Sequence, residues 1–97
     1  MIYHRIADFD DAYANGSNVP RGDRWPEAWV APSKAYREER AGAGRAKLGL
    51  AYGERARNRL DLFLPAGEPK GLVVFIHGGY WLRFDNSYWS HLARGAV

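Results

Sequence analysis

The residues with the clearest potential for chemistry form one short run, His77-Gly78-Gly79-Tyr80-Trp81. Two consecutive glycines permit backbone conformations with positive φ and remove the side chains that would block a ligand. Such a run can direct its backbone N–H groups outward at an anion. One candidate is the oxyanion that forms when a carbonyl carbon is attacked, where each donor contributes about 2.7–4 kcal/mol to the transition state.

The run lies between two predicted elements that would position it. Residues 72–76 read Leu-Val-Val-Phe-Ile, a continuous apolar stretch that is typical of a central strand covered on both faces. In open α/β sheets, ligands bind beyond the carboxyl ends of the strands, so the position also indicates a site. A closing helix is expected next, with three alternative N-caps: Asp85, Asn86 and Ser87. Its inward-facing residues would be Tyr88, Trp89, Leu92 and Val97.

Two alternating segments precede the apolar stretch and predict an antiparallel pair of strands with one buried face. Their apolar positions are Leu48, Leu50 and Tyr52, followed by Leu60, Leu62 and Leu64. Asp61, between two of these leucines, is expected to be a surface residue on an edge strand. The fold class predicted from these elements is α/β.

The amino-terminal part is expected to be an irregular arm. Trp25 and Trp29, flanked by prolines, would attach this extended arm to the rest of the protein. Ser33 is a plausible N-cap for a helix from Lys34 to about residue 41, which Gly42 would end. We therefore divide the chain into an arm, residues 1–46, and the first part of an α/β domain, residues 47–97.

Burial of the five apolar side chains of residues 72–76 would contribute roughly 7–15 kcal/mol, at about 1.5–3 kcal/mol each. A whole domain has a net stability of only about 5–15 kcal/mol. A central strand without neighbours would forfeit much of that contribution. We therefore expect these 97 residues to be the front of a longer protein, or to need another chain that completes the sheet.

A family resemblance rests on three segments: Asn58–Pro65, Gly71–Ile76 and His77–Trp81. Together they resemble the amino-terminal part of an α/β-hydrolase, in the esterase/lipase branch whose loop reads His-Gly-Gly-Gly or a variant of it. The Tyr-Trp ending is similar to arylformamidase (kynurenine formamidase)-like members. The resemblance covers residues 47–94, about half the chain.

The resemblance implies a role for each residue of the run. The backbone amides of Gly79 and Tyr80 would donate to the oxyanion. Gly78 would give the turn its freedom beside the substrate, and Trp81 would line the acyl or aryl pocket. His77 would hold the loop and would not be the catalytic histidine.

The family's nucleophile lies in a Gly-x-Ser-x-Gly motif, followed along the chain by an acid and a histidine. The serines of this chain, none of which has that context, are Ser17, Ser33, Ser87 and Ser90. The resemblance therefore implies a parent protein that is a serine hydrolase of carboxylic esters or aryl formamides. This chain would supply the oxyanion loop, and alone it is expected to be inactive. The alternative is a hydrolase-like binding domain that has lost its triad.

Composition limits the other function classes. The chain is 46% hydrophobic and 14% aromatic, too rich in aromatic residues for a disordered tail. No apolar run approaches the ~20 residues of a membrane span, and the first residues do not form a signal peptide. A cytoplasmic location and no membrane partner are therefore expected. With no cysteine, disulfides and thiolate metal sites are excluded.

The net charge of +3 arises mainly from a basic stretch between Arg37 and Arg59. A nucleic-acid module would use such a stretch to neutralise phosphates. The favoured interpretation is a solvated helix face followed by a charged hairpin edge, with no nucleic-acid partner. The histidines, His4, His77 and His91, match no short metal-ligand motif. No metal and no cofactor are expected.

Overall fold

The computed structural model describes residues 6–79 and 84–97. In chain order, its elements are two short helices, α1 (Phe9–Ala12) and α2 (Asn15–Asn18), a long helix, α3 (Trp25–Gly42), and two strands, β1 (Ala46–Ala51) and β2 (Arg59–Phe63). Two 3₁₀ segments follow, Asn86–Tyr88 and Ser90–Gly95. A helix and an antiparallel strand pair are consistent with part of an α/β fold. None of the helices in the described ranges is both long and apolar enough to cross a membrane.

Helix α3 is longer than predicted and includes the tryptophans assigned to an extended arm. It begins at Trp25, with Pro26 in its first turn, where proline is tolerated because the missing N–H would have no intrahelical partner. Pro32 lies inside the helix, a position at which proline usually breaks the hydrogen-bond pattern. The prediction of a helix starting at Lys34 was therefore wrong. Its end at Gly42 is confirmed.

The predicted strand pair is confirmed as an antiparallel β-hairpin, but its predicted buried face is not, since Leu48, Leu50 and Leu60 are 37–41% exposed. Ala46 is opposite Phe63 and Leu50 is opposite Leu60, with a register shift between Lys47 and Leu50. Gly49 lies within this shift with φ of 68°, a conformation that favours glycine.

The apolar stretch of residues 72–76 has a different environment from the one predicted. Within the described ranges it belongs to no strand ladder, and its side chains are 60–80% exposed. The chain exposes 8409 Å², whereas a folded monomer of 11.0 kDa is expected to expose about 5600 Å². The prediction of a covered central strand is thus not met, because a strand is defined by hydrogen-bonded neighbours.

The closing helix is also absent from the described residues, and the two 3₁₀ segments take its place. Asp85 is the N-cap of the first segment and accepts a hydrogen bond from the Ser87 backbone N–H at 2.8 Å, which confirms one of the three predicted caps. Leu92, expected to pack inward, is 53% exposed.

The best-buried residues join α3 to the strands and to the 3₁₀ segments. Tyr36 is the one fully buried hydrophobic residue of the described ranges, and its ring lies 5.2 Å from the ring of Phe63 in β2. The guanidinium of Arg94 lies over the ring of Tyr36, 4.9 Å from its centroid. The small core therefore lies where α3 crosses the hairpin.

Candidate functional site

The two glycines of the predicted loop directly follow the apolar stretch. Gly79 has φ of 105°, which an L-residue with a side chain rarely adopts. A Cβ added to Gly78 would meet nothing within 4 Å, so this backbone borders open space. Tyr80 and Trp81 lie outside the described residues, and their roles as amide donor and pocket residue stay predictions.

His77 is held from two sides. Its ring stacks on the indole of Trp89, with centroids 5.2 Å apart and planes 12° from parallel. Its Nδ1 atom lies 2.6 Å from the carbonyl oxygen of Gly78. Because a carbonyl oxygen can only accept, this contact requires the proton on Nδ1. The geometry suits a residue that orders the glycine backbone, which is the role the resemblance implies.

Trp89 is the centre of an aromatic group, here called the Trp89 cluster. The rings around its indole, with centroids 5.2–6.5 Å away, belong to Trp29, Phe75, His77, Phe84 and Tyr88. Aromatic pairs at such distances stabilise one another beyond their buried area. The cluster brings together α3, the apolar stretch, the glycine loop and the first 3₁₀ segment. Inward packing of Trp89 was predicted, but its contact with His77 was not.

Gly78 and Gly79 border a groove of about 1300 Å³. The groove's opposite wall comes from the amino-terminal region, with lining residues from Tyr13 to Trp29, and Phe84 and Trp89 complete the lining. The sequence analysis missed this wall because the family resemblance begins only at residue 47. The sole earlier signal was the pair of tryptophans in α3.

A second cavity of about 1550 Å³ lies between the hairpin and the apolar stretch. The side chains of Leu72 to His77 border it on one side, and Leu60 to Phe63 border it on the other. His77 borders this cavity and the two glycines border the groove, while Trp89 borders both.

Buried polar contacts fix the 3₁₀ segments to α3. The Ser33 hydroxyl donates to the Ser87 carbonyl oxygen at 2.5 Å and accepts from the Ser90 N–H at 2.8 Å. Ser33 has no exposed surface. The prediction that Ser33 is an N-cap was therefore wrong, because its hydroxyl bonds to a distant segment instead of its own helix. Because Trp89 lies between Ser87 and Ser90 in the sequence, Ser33 also holds this part of the chain in place.

Asp61 likewise differs from its prediction as a surface residue. Its side chain is 4% exposed and forms an ion pair with Arg37 of α3. Its other carboxylate oxygen accepts the Gly49 N–H at 2.8 Å. Arg37 also donates to the Ser90 hydroxyl at 3.3 Å. This carboxylate therefore joins both strands to the helix, and it does not reach the glycine loop through any described contact.

Arg57 of the hairpin loop reaches the far side of the glycine run. Its Nη2 donates to the Phe84 carbonyl oxygen at 2.5 Å. Burial alone would raise the pKa of the neighbouring Asp85 carboxyl. Hydrogen bonds from Ser87 and the charges of Arg57 and Arg37 outweigh that effect and lower this pKa below its ordinary value.

Much of the basic stretch is engaged within the chain. Three arginine side chains donate to backbone carbonyl oxygens: Arg40 donates to that of Leu64, Arg45 to that of Pro65, and Arg57 to that of Phe84. Arg94 forms an ion pair with Glu39. The hydrogen bond from Arg94 lowers the pKa of the Glu39 carboxyl. These contacts attach the guanidinium groups to other parts of the chain. Across residues 6–79 and 84–97, no three His, Asp or Glu side chains come together as a metal-ligand set.

Comparisons with known proteins point in one direction. No family model matches the chain. Isoprenylcysteine alpha-carbonyl methylesterase ICME of Arabidopsis thaliana is 49% identical over 35 residues, which are 34% of this chain and 8% of the relative. The protein ICMEL1 of the same plant, to which that activity is provisionally assigned, matches equally over 7% of its length.

A solved structure matches over most of the chain. It is a protein of Silicibacter sp. TM1040 assigned provisionally as a thioesterase, with a TM-score of 0.81 and 51% sequence identity. The match covers 89% of this chain and 32% of that one. The chain therefore spans about a third of this relative and under a tenth of the curated ones. Together these similarities support an α/β-hydrolase-like family.

Proposed function

We propose that the full-length protein containing this chain is a serine hydrolase that cleaves a carboxylic ester or an aryl formamide. In this proposal the chain supplies the oxyanion loop, while the remaining part of the protein supplies the nucleophile, the acid and the histidine. The observation that carries the proposal is the backbone of Gly79, with φ of 105°, on the edge of an open groove. The esterase and thioesterase names of the relatives support the reaction class.

The chemistry assigned to the loop is stabilisation of charge during acyl transfer. A serine hydroxyl attacks the substrate carbonyl carbon as the histidine takes its proton, and the carbonyl oxygen becomes an oxyanion. The Gly79 and Tyr80 amides donate to that oxyanion. When the carbon–oxygen or carbon–nitrogen bond breaks, the histidine returns the proton to the leaving alcohol or amine. Water then attacks the acyl-enzyme, releases the acid and restores the serine.

The same proposal gives the apolar stretch its partners. Strands from the remaining part of the protein would cover residues 72–76, whose side chains are 60–80% exposed, and complete the sheet. The relative of known structure, about three times longer than its matched region, supports this arrangement. The division into an arm of residues 1–46 and a domain from residue 47 stays a prediction.

A fluorophosphonate probe on the full-length protein tests the proposal, because such probes label an activated serine. We expect one labelled serine and turnover of an aryl ester or aryl formamide; a thioester serves as the competing substrate. Gly79→Pro removes one N–H donor and, because proline fixes φ at about −65°, also changes the backbone conformation of the loop; together these changes should lower kcat by at least about 10²-fold. Gly67→Pro is the control, since Gly67 is exposed and a Cβ there meets nothing within 4 Å.

Absence of a labelled serine would contradict the hydrolase and support the alternative, a hydrolase-like binding domain. Equal losses of kcat in Gly79→Pro and Gly67→Pro would contradict the oxyanion role while leaving the hydrolase intact. Preference for the formamide over the ester would distinguish an arylformamidase from a general esterase.

A further inference from the structure

His77 and Phe84, which precede and follow the glycines in the chain, both contact the same indole. His77 stacks on Trp89 at 5.2 Å, and the Phe84 ring meets it edge-on at 5.6 Å with planes at 89°. The two glycines of the loop lie between these contacts in the chain. Any shift of Phe84 therefore acts on the same support that orients His77 and, through it, the carbonyl of Gly78.

Phe84 has a backbone conformation that needs support. Its φ is 67°, in the left-handed region that a bulky residue rarely adopts. Such conformations persist where the surrounding structure imposes them, and they are concentrated at functional sites. One imposed contact is the hydrogen bond from Arg57 to the Phe84 carbonyl oxygen. Another is the cap immediately after it, where Asp85 accepts from the Ser87 N–H and hydroxyl.

The hairpin loop presents Arg57 in a fixed conformation. Asn58 accepts the Arg55 N–H through its side chain at 3.0 Å, and its own N–H donates to the Arg55 carbonyl at 2.9 Å. The Asn58 carbonyl in turn accepts the Tyr52 N–H at 3.0 Å. Arg57 thus extends from a closed turn at the end of two paired strands. A guanidinium with several donors suits a role that joins two segments.

We propose that Arg57 is a positioning residue for the glycine loop: by holding the Phe84 carbonyl, it fixes the far end of the loop on Trp89 and keeps the Gly79 amide directed at the oxyanion. The inference rests on the proposed function. Arg57 lies in the hairpin and is distant from the glycines in the sequence, yet it would affect the rate of the chemical step. Arg57 itself touches no reacting atom.

The test compares Arg57→Ala with Arg55→Ala in the full-length protein. Arg55 lies in the same turn, and no hydrogen bond or ion pair of its side chain occurs in the described part of the chain. We expect Arg57→Ala to lower kcat for the aryl ester by about three- to tenfold, the range that one net hydrogen bond accounts for. KM and the melting temperature should change little, and Arg55→Ala should match the wild type.

Guanidinium rescue separates positioning from a general loss of structure. Added at millimolar concentration, guanidinium ion should restore part of the kcat of Arg57→Ala and leave Arg55→Ala unchanged. Equal kcat values for both variants, or a change confined to KM, would overturn the inference. The proposed hydrolase function would still stand in that case, provided that the probe labels a serine. A wild-type protein without labelling or turnover would instead overturn the proposed function.

Discussion

Removing the Arg37 guanidinium would test the ion pair that joins α3 to β2. The Asp61 side chain is 4% exposed and that of Arg37 is 22% exposed. One carboxylate oxygen of Asp61 binds Arg37, and the other accepts the Gly49 N–H. In Arg37→Ala, therefore, a nearly buried carboxylate keeps its bond to one strand but loses its cationic partner.

The expected size follows from burial. Breaking a buried ion pair by removing one partner costs about 3–5 kcal/mol, since a charge is left without compensation. Water reaches part of Arg37, so we expect a value near the lower end, about 3 kcal/mol. Lys34 and Glu38 form a contrasting pair on the same helix, 3.8 Å apart with side chains 74% and 69% exposed. Lys34→Ala should cost about 0.5 kcal/mol or less.

Urea unfolding of the full-length protein measures both variants. Arg37→Ala should lower the free energy of unfolding by several times the effect of Lys34→Ala. The double variant Arg37→Met with Asp61→Leu should recover most of the loss, because it removes both charges and keeps apolar volume. If Arg37→Ala were no more harmful than Lys34→Ala, burial would not determine the strength of this pair.

Three further predictions concern the contacts around the site. Ser33→Ala should lower the free energy of unfolding by about 1–3 kcal/mol, because a buried N–H loses its acceptor; Ser17→Ala, at an exposed position of the short helix α2, should stay within about 0.5 kcal/mol. Because the pKa of Asp85 is lowered on folding, its stabilising charge is fully present above the unfolded pKa of about 3.9 and is lost as pH falls through the lower folded value. The stability difference between wild type and Asp85→Asn should thus diminish on acidification below about pH 4, and a constant difference would contradict the shift. Gly53→Ala would place a Cβ 2.6 Å from Asn58 Oδ1 and should lower the melting temperature, whereas a melt unchanged from wild type would show that the turn adapts.

Local patterns predicted the elements whose causes are local. Alternation of leucines identified both strands, and their antiparallel pairing is confirmed. Gly42 ends α3 and Asp85 caps the first 3₁₀ segment as expected. In each case the deciding interaction lies within a few residues or across one short turn. The types of the neighbouring residues were therefore enough to predict these elements.

Contacts with distant segments explain the errors. Ser33 looks like an N-cap next to Pro32, yet its hydroxyl bonds to residues more than fifty positions away. Asp61 looks like a surface residue between two leucines, yet Arg37 approaches it from α3. The periodicity of apolar residues does not indicate which helix will pack against a strand. The long α3 itself tolerates an internal proline, which a local rule treats as a break.

The candidate site shows the same division. The glycine run and its place after the apolar stretch could be identified from residue types, and Gly79 has the positive φ that such a run permits. The groove's opposite wall could not be identified in this way, because it depends on how residues 13–29 fold back toward the loop. Trp89 shows an intermediate case, since inward packing was predicted while its role as the common support of His77 and Phe84 required coordinates.

The break in register on β1 affects how readily this strand can pair with another molecule. Gly49 departs from the regular ladder, and its N–H donates to the Asp61 side chain of β2 instead of to a backbone carbonyl oxygen of that strand. An incoming strand from another molecule needs evenly spaced donors and acceptors, and a bulge denies it that template. The bulge therefore disfavours regular pairing of β1 with a strand of another molecule.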